Sequence, residues 1–222
     1  MTGPPLLTLR LNGLSLGGSP ILGPIDLDLA RSETLALVGP SGIGKSTLLR
    51  IFAGLEDGYD GSCVVDGRAA IVFQEPALLP WCSLIDNLLV TTRVPRAQAL
   101  EALDEVGLAD RADAFPTRLS LGQQRRLALA RAFAARPDLL LLDEPFVSLD
   151  PVLVEDMMQL FARLRARHAV ATILVTHVRE EAQTLSDRIV TLGGRPARIV
   201  SKVQNSGAYF HPSASGVPSA GS

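Results

Sequence analysis

The residues Gly39-Pro40-Ser41-Gly42-Ile43-Gly44-Lys45-Ser46-Thr47 fit G-x-x-x-x-G-K-[ST] in full. Glycines at this spacing let backbone N–H groups converge on phosphates, and a helix starting near Lys45 adds its positive end. Lys45 would reach the β- and γ-phosphates, and the Ser46 hydroxyl is placed to ligate Mg²⁺. Of 21 basic residues only Lys45 and Lys202 are lysines, so a lysine inside this motif stands out. A second chemical signal is Leu139-Leu140-Leu141-Leu142-Asp143-Glu144. An apolar strand ending in two acids is expected to direct them to opposite faces, Asp143 to the Mg²⁺ shell and Glu144 to an attacking water. Together the two motifs suit hydrolysis of a bound nucleoside triphosphate.

Elements must exist to hold these groups. Residues 7–11 and 25–29 alternate apolar and polar with Gly, Ser and Pro turns between, which predicts half-buried antiparallel strands. Residues 35–38 are continuously apolar, stop at the glycine-rich turn and pass into a helical stretch at 45–53 closed by Gly54. Further buried strands are predicted at 70–73, 139–142, 171–175, 188–192 and 197–201, mostly separated by helical segments. That alternation predicts an α/β fold with a largely parallel sheet. Between residues 84 and 135 strand texture gives way to helices, including 95–106 and 122–135, so a helical subdomain inserted between two strands is expected. After Asp150, a suitable N-cap, Pro151 fits the first position of another helix.

With the phosphate-loop motif upstream, Leu119-Ser120-Leu121-Gly122-Gln123, Asp143-Glu144, Ser148-Leu149-Asp150 and His177 follow in the order and approximate spacing of the ATP-binding cassette (ABC) ATPases. Over roughly residues 6–202 the chain resembles the nucleotide-binding subunit of an ABC transporter. That resemblance implies a P-loop NTPase of the ABC cassette type, with an N-terminal antiparallel β region, a mostly parallel core sheet and the helical insertion. It implies that Gln74 is the Q-loop glutamine, at Mg²⁺ or its water. Ser120, Gly122 and Gln123 would be the signature that meets the γ-phosphate held by an opposite subunit. Asp150 would be the D-loop acid and His177 the switch histidine that helps position water. The implied assembly is a head-to-tail homodimer with two ATP molecules at its interface, on a separate transmembrane permease and, through it, a solute-binding protein. Residues 74–87 are similar to the Q-loop region of bacterial importers for nitrate, sulfonates, taurine or thiamine precursors, which places Trp81 in or beside the permease contact. Two positions depart from the family pattern. Leu121 stands where the signature usually has glycine, and residues 14–20 have no aromatic to stack on adenine, with Leu16 near that place.

Composition excludes other classes. The net charge is −2 and no run of Lys or Arg forms a stripe, so nucleic acid is not an expected partner. Two cysteines cannot frame a chain of 222 residues, which points to a reducing compartment. No signal-like or membrane-spanning run is present, so the chain is expected neither to be secreted nor itself to span a membrane; the resemblance implies a peripheral place on the cytoplasmic face of the cell membrane. Residues 203–222, rich in Ser, Gly, Ala and Pro, are expected to form a flexible tail beyond an ATPase domain at 1–202. Two rival readings share the same motifs. One is a soluble ABC ATPase outside transport, which usually carries two cassettes or a long coiled-coil insertion; the other is a non-hydrolysing nucleotide-sensing subunit.

Overall fold

The computed structural model describes residues 3–205. The first sheet holds β1 (Leu7–Leu16), β2 (Ser19–Leu22), β3 (Ile25–Leu29) and, after β4 (Thr34–Val38) and α1 (Lys45–Phe52), also β5 (Tyr59–Val65). It is antiparallel: β1 pairs with β3 from Leu7↔Leu29 to Leu11↔Ile25, and with β5 on its other side. In β3 the alternation predicted from sequence appears directly, with Ile25, Leu27 and Leu29 buried and Asp26 and Asp28 exposed.

Next come β6 (Ala69–Val72), α2 (Leu84–Thr92), α3 (Arg96–Glu105), short 3₁₀ turns at Ala109–Arg111 and Pro116–Arg118, α4 (Leu121–Ala134) and β7 (Leu139–Asp143). The chain closes with α5 (Pro151–His168), β8 (Ala171–Thr176), α6 (Arg179–Leu185), β9 (Arg188–Gly193) and β10 (Arg198–Gln204). The second sheet has the order β10-β9-β4-β8-β7-β6, parallel from β9 to β6. Its central strands are apolar on both sides because both faces are covered. In β7, Leu139 and Leu141 join α1 and the first sheet in one core, while Leu140 and Leu142 join α2 to α5 in the other. The helices between β6 and β7 thus pack into the same cluster as α5.

Three expectations change. The strand β5 escaped the sequence pattern, since its burial is irregular and only its pairing with β1 makes it a strand. β10 is an exposed antiparallel edge strand, not a buried one, because among the described residues it pairs with β9 alone. It also runs through Val203 and Gln204, and Asn205 then donates to the Gln183 and Ser186 carbonyls, so the segment expected as a tail starts later than residue 203. Residues 206–222 lie outside the described residues. Among the described residues no helix is long and apolar enough to cross a membrane.

Candidate functional site

The carboxyl ends of parallel strands are where an open α/β sheet binds ligands, since loops there diverge and helix N-termini point back at them. Four segments singled out from sequence leave these ends: residues 39–47 after β4, Gln74 after β6, Asp143 and Glu144 at β7, and His177 after β8. Gly44 caps α1 at φ 110°, and a Cβ there would sit 2.7 Å from Leu22 Cδ2. A Cβ on Gly39 would meet the Leu192 carbonyl oxygen at 2.8 Å, so the loop needs glycine for space as well as for dihedral freedom. No side chain caps α1 and no acid lies in its first turn, which leaves its first N–H groups for an anion.

Lys45, only 4% exposed, donates through Nζ to the Gly39 and Pro40 carbonyls at 2.9 and 3.0 Å. The same ammonium lies 3.7 Å from Glu144 Oε1. Ser46 Oγ donates to Asp143 Oδ1 at 3.1 Å. Burial pushes the Asp143 carboxyl above its usual range and the Glu144 charge adds to this, while the Ser46 hydroxyl and Lys45 pull it back. A hydroxyl and a carboxylate meeting beside a phosphate-binding loop suit Mg²⁺, which takes hard oxygens and shares its shell with substrate phosphates.

Glu144 corrects the sequence expectation. Its N–H still makes the ladder bond to the Val175 carbonyl of β8, but its φ of 46° is left-handed, so its side chain does not follow the alternation of β7 to the opposite face. Both carboxylates therefore stay at one end of the sheet. Glu144 Oε2 reaches His177 Nδ1 at 3.1 Å. Thr176 donates to the buried Glu181 carboxylate and accepts from the Val178 N–H, which ties the His177 turn to α6. A cavity of about 570 Å³ opens beside the Glu144–His177 pair, walled by Leu149, Val154 and Met158.

The remaining residues are not joined to this cluster within one chain. Gln74 is exposed and makes no hydrogen bond to Ser46 or Asp143. Ser120 and Gln123 cap α4 reciprocally: Gln123 N–H donates to Ser120 Oγ at 3.3 Å, and Ser120 N–H to Gln123 Oε1 at 3.1 Å. Gly122 is buried, and a Cβ there would lie 2.6 Å from Leu153 Cδ2 of α5. Leu121 and Leu16, the two departures, are exposed. Asp150 caps α5 by accepting from the Leu153 N–H at 3.0 Å. Trp81 is 73% exposed, outside any core.

Three residues that sequence reasoning missed hold these loops: Glu181, and on α4 Arg125 and Arg131. Arg131 donates to the Pro76 and Ala77 carbonyls of the loop after Gln74, and Arg125 to the Pro145 and Val147 carbonyls. Neither arginine stands out in a helix that carries three arginines and two glutamines, and their backbone acceptors carry no side-chain signature.

Residues 22–147 match the family model described as ABC transporter. The aliphatic sulfonates import ATP-binding protein SsuB 1 of Pseudomonas syringae pv. syringae is 42% identical over 201 residues, covering 89% of this chain and 85% of its own. That of Granulibacter bethesdensis is 47% identical over 194 residues, covering 86% and 82%. Among solved structures, the dimeric post-hydrolysis state of the ATP-binding cassette MJ0796 bound to ADP and Pi superposes with a TM-score of 0.77 at 27% identity, covering 89% of this chain and 98% of that one. The fold, the loop geometry at its strand ends and these relatives agree: the chain belongs to the ABC transporter family.

Proposed function

We propose that this chain is the ATP-hydrolysing subunit of an importer, which works as a homodimer on the cytoplasmic face of the membrane and drives a small solute through a separate transmembrane subunit. The observation that carries the reading is the convergence of Lys45, Ser46, Asp143, Glu144 and His177 at the ends of β4, β7 and β8. The names of its relatives support import over a soluble ATPase or a nucleotide sensor, and favour cargo of the aliphatic sulfonate class delivered by a solute-binding protein. In this reading one ATPase unit runs through the end of β10, beyond the expected boundary at residue 202, and 84–135 is its helical subdomain.

The site residues divide the work. The N–H groups of residues 39–47 and the Lys45 ammonium bind the phosphates and take up charge as the terminal bond breaks. Ser46 and Asp143, with Gln74, would hold Mg²⁺, which supplies neutralisation of the phosphate oxygens when bound. Glu144 polarises the attacking water and His177 orients that carboxylate; water oxygen bonds to the γ-phosphorus, the bond to the β-phosphate oxygen breaks, and ADP and phosphate leave. Ser120, Gly122 and Gln123 complete the opposite subunit's site, which fits their lack of any bond to residues 39–47 in their own chain; Asp150 links the two sites.

Glu144→Gln tests this directly. The isosteric amide keeps the site's shape but loses the base, so hydrolysis should fall by orders of magnitude while ATP affinity holds and ATP traps a dimer on gel filtration. Near-parental turnover would remove Glu144 from its role. Lys45→Ala should instead weaken ATP binding by calorimetry, through loss of a charge-assisted phosphate contact.

A further inference from the structure

Among the described residues Arg125 is a buried cation without an anion. Its residue is 6% exposed, and among the described residues no carboxylate pairs with it. One Nη donates to the Pro145 carbonyl and the other to the Val147 carbonyl, each at 2.5 Å, while Nε–H has no acceptor among the described residues. Burial holds its pKa below the usual guanidinium value. A buried charge neutralised only by two carbonyls is costly, and an apolar side chain of similar size would fill the space more cheaply.

Its acceptors explain what that cost secures. Pro145 directly follows Glu144, whose left-handed φ of 46° is unfavourable for a residue with a Cβ. Val147 directly precedes Ser148, also left-handed at 62°. The planar fork of Arg125 thus grips the turn between two strained residues, and only a bidentate donor can fix both carbonyls at once. Arg125 sits on α4, four residues after the start of the helix that Ser120 caps. It also lines a small void with Phe73 and Pro76, which flank Gln74. Three segments of the site therefore meet at this side chain.

We infer that Arg125 is a positioning residue: its fork holds the 145–147 turn so that the Glu144 carboxylate faces the site, and it links that carboxylate to α4. The inference rests on the proposed role of Glu144. Arg125 touches no residue of the phosphate loop, so its effect should fall on turnover and not on nucleotide affinity.

The test compares Arg125→Met and Arg125→Lys with the parent as full-length chains. Methionine fills the space but donates nothing, so kcat should fall roughly tenfold or more, equivalent to about 1.4 kcal/mol, at an ATP Kd changed less than about twofold. Lysine can serve one carbonyl, so its kcat should lie between the two. If the methionine variant does not fold, the lysine variant carries the test, with a roughly threefold loss of kcat expected. Because Arg125 acts through Glu144, adding Arg125→Met to Glu144→Gln should leave the ATP-trapped dimer intact. Parental kcat in either variant, an ATP Kd weakened in step with kcat, or loss of the trapped dimer in the double variant would each overturn the inference. Normal hydrolysis by Glu144→Gln itself would instead indict the functional reading on which it rests.

Discussion

Asn87 offers a test whose size can be worked from the structure. It is fully buried in α2, and its side chain ties together the segment that presents Trp81. Oδ1 accepts from the Leu79 N–H at 2.8 Å; Nδ2 donates to the carbonyls of Leu79, Cys82 and Ser83 at 3.1, 3.2 and 2.9 Å. The amide has two protons for three carbonyls, so three hydrogen bonds' worth of interaction is at stake. At about 0.5–1.5 kcal/mol each, Asn87→Ala should cost about 1.5–4.5 kcal/mol, with the upper half favoured because buried partners are left unpaired. For a chain of this size that lowers the melting temperature by roughly 5–15 °C. Asn87→Asp sharpens the test. A carboxylate still accepts from Leu79 but places negative charge against three carbonyl oxygens, so it should be no more stable than alanine at neutral pH and recover partly in acid as it gains a proton. Urea unfolding at several pH values measures both variants. An alanine variant within about 0.5 kcal/mol of the parent, or an aspartate variant equal to it at neutral pH, would refute the reasoning.

Burial raises the Glu181 carboxyl above its ordinary 4.5. The folded state then favours the protonated form, a contribution fully present below 4.5 and lost as pH rises through the folded value. Glu181→Gln, neutral and still an acceptor for Thr176, should therefore melt above the parent at about pH 7.5 and converge with it in acid; the opposite slope by calorimetry counts against this. Trp81→Ala should weaken association with the transmembrane subunit more than it slows basal hydrolysis, because an exposed aromatic at a partner face can be a hot spot; equal association in a reconstituted complex rejects this. Leu16→Tyr should tighten ATP binding by about tenfold if its ring reaches the base, and the parent should separate ATP from GTP poorly. Strong ATP preference in the parent with no gain from tyrosine would show that another residue meets the adenine.

The chemistry-bearing residues could be read from sequence because each motif depends on local backbone. A glycine-rich turn between an apolar strand and a helix specifies its own conformation over residues 39–47, and four leucines closed by two acids fit a short strand covered on both faces. Ser120 with Gln123, and Asp150 with Pro151, likewise announce helix starts through short-range hydrogen bonds. What lay beyond reach depends on partners distant in the chain. β5 is a strand only because β1 lends it an edge, and β10 is exposed because among the described residues it pairs with β9 alone. The two carboxylates converge because the backbone turns left-handed at Glu144 just as β7 ends, which no alternation rule along β7 contains. Arg125, Arg131 and Glu181 were hidden for the same reason. Local sequence sets which conformations a segment favours, but a buried charge becomes tolerable only where a tertiary fold has already placed the groups that satisfy it.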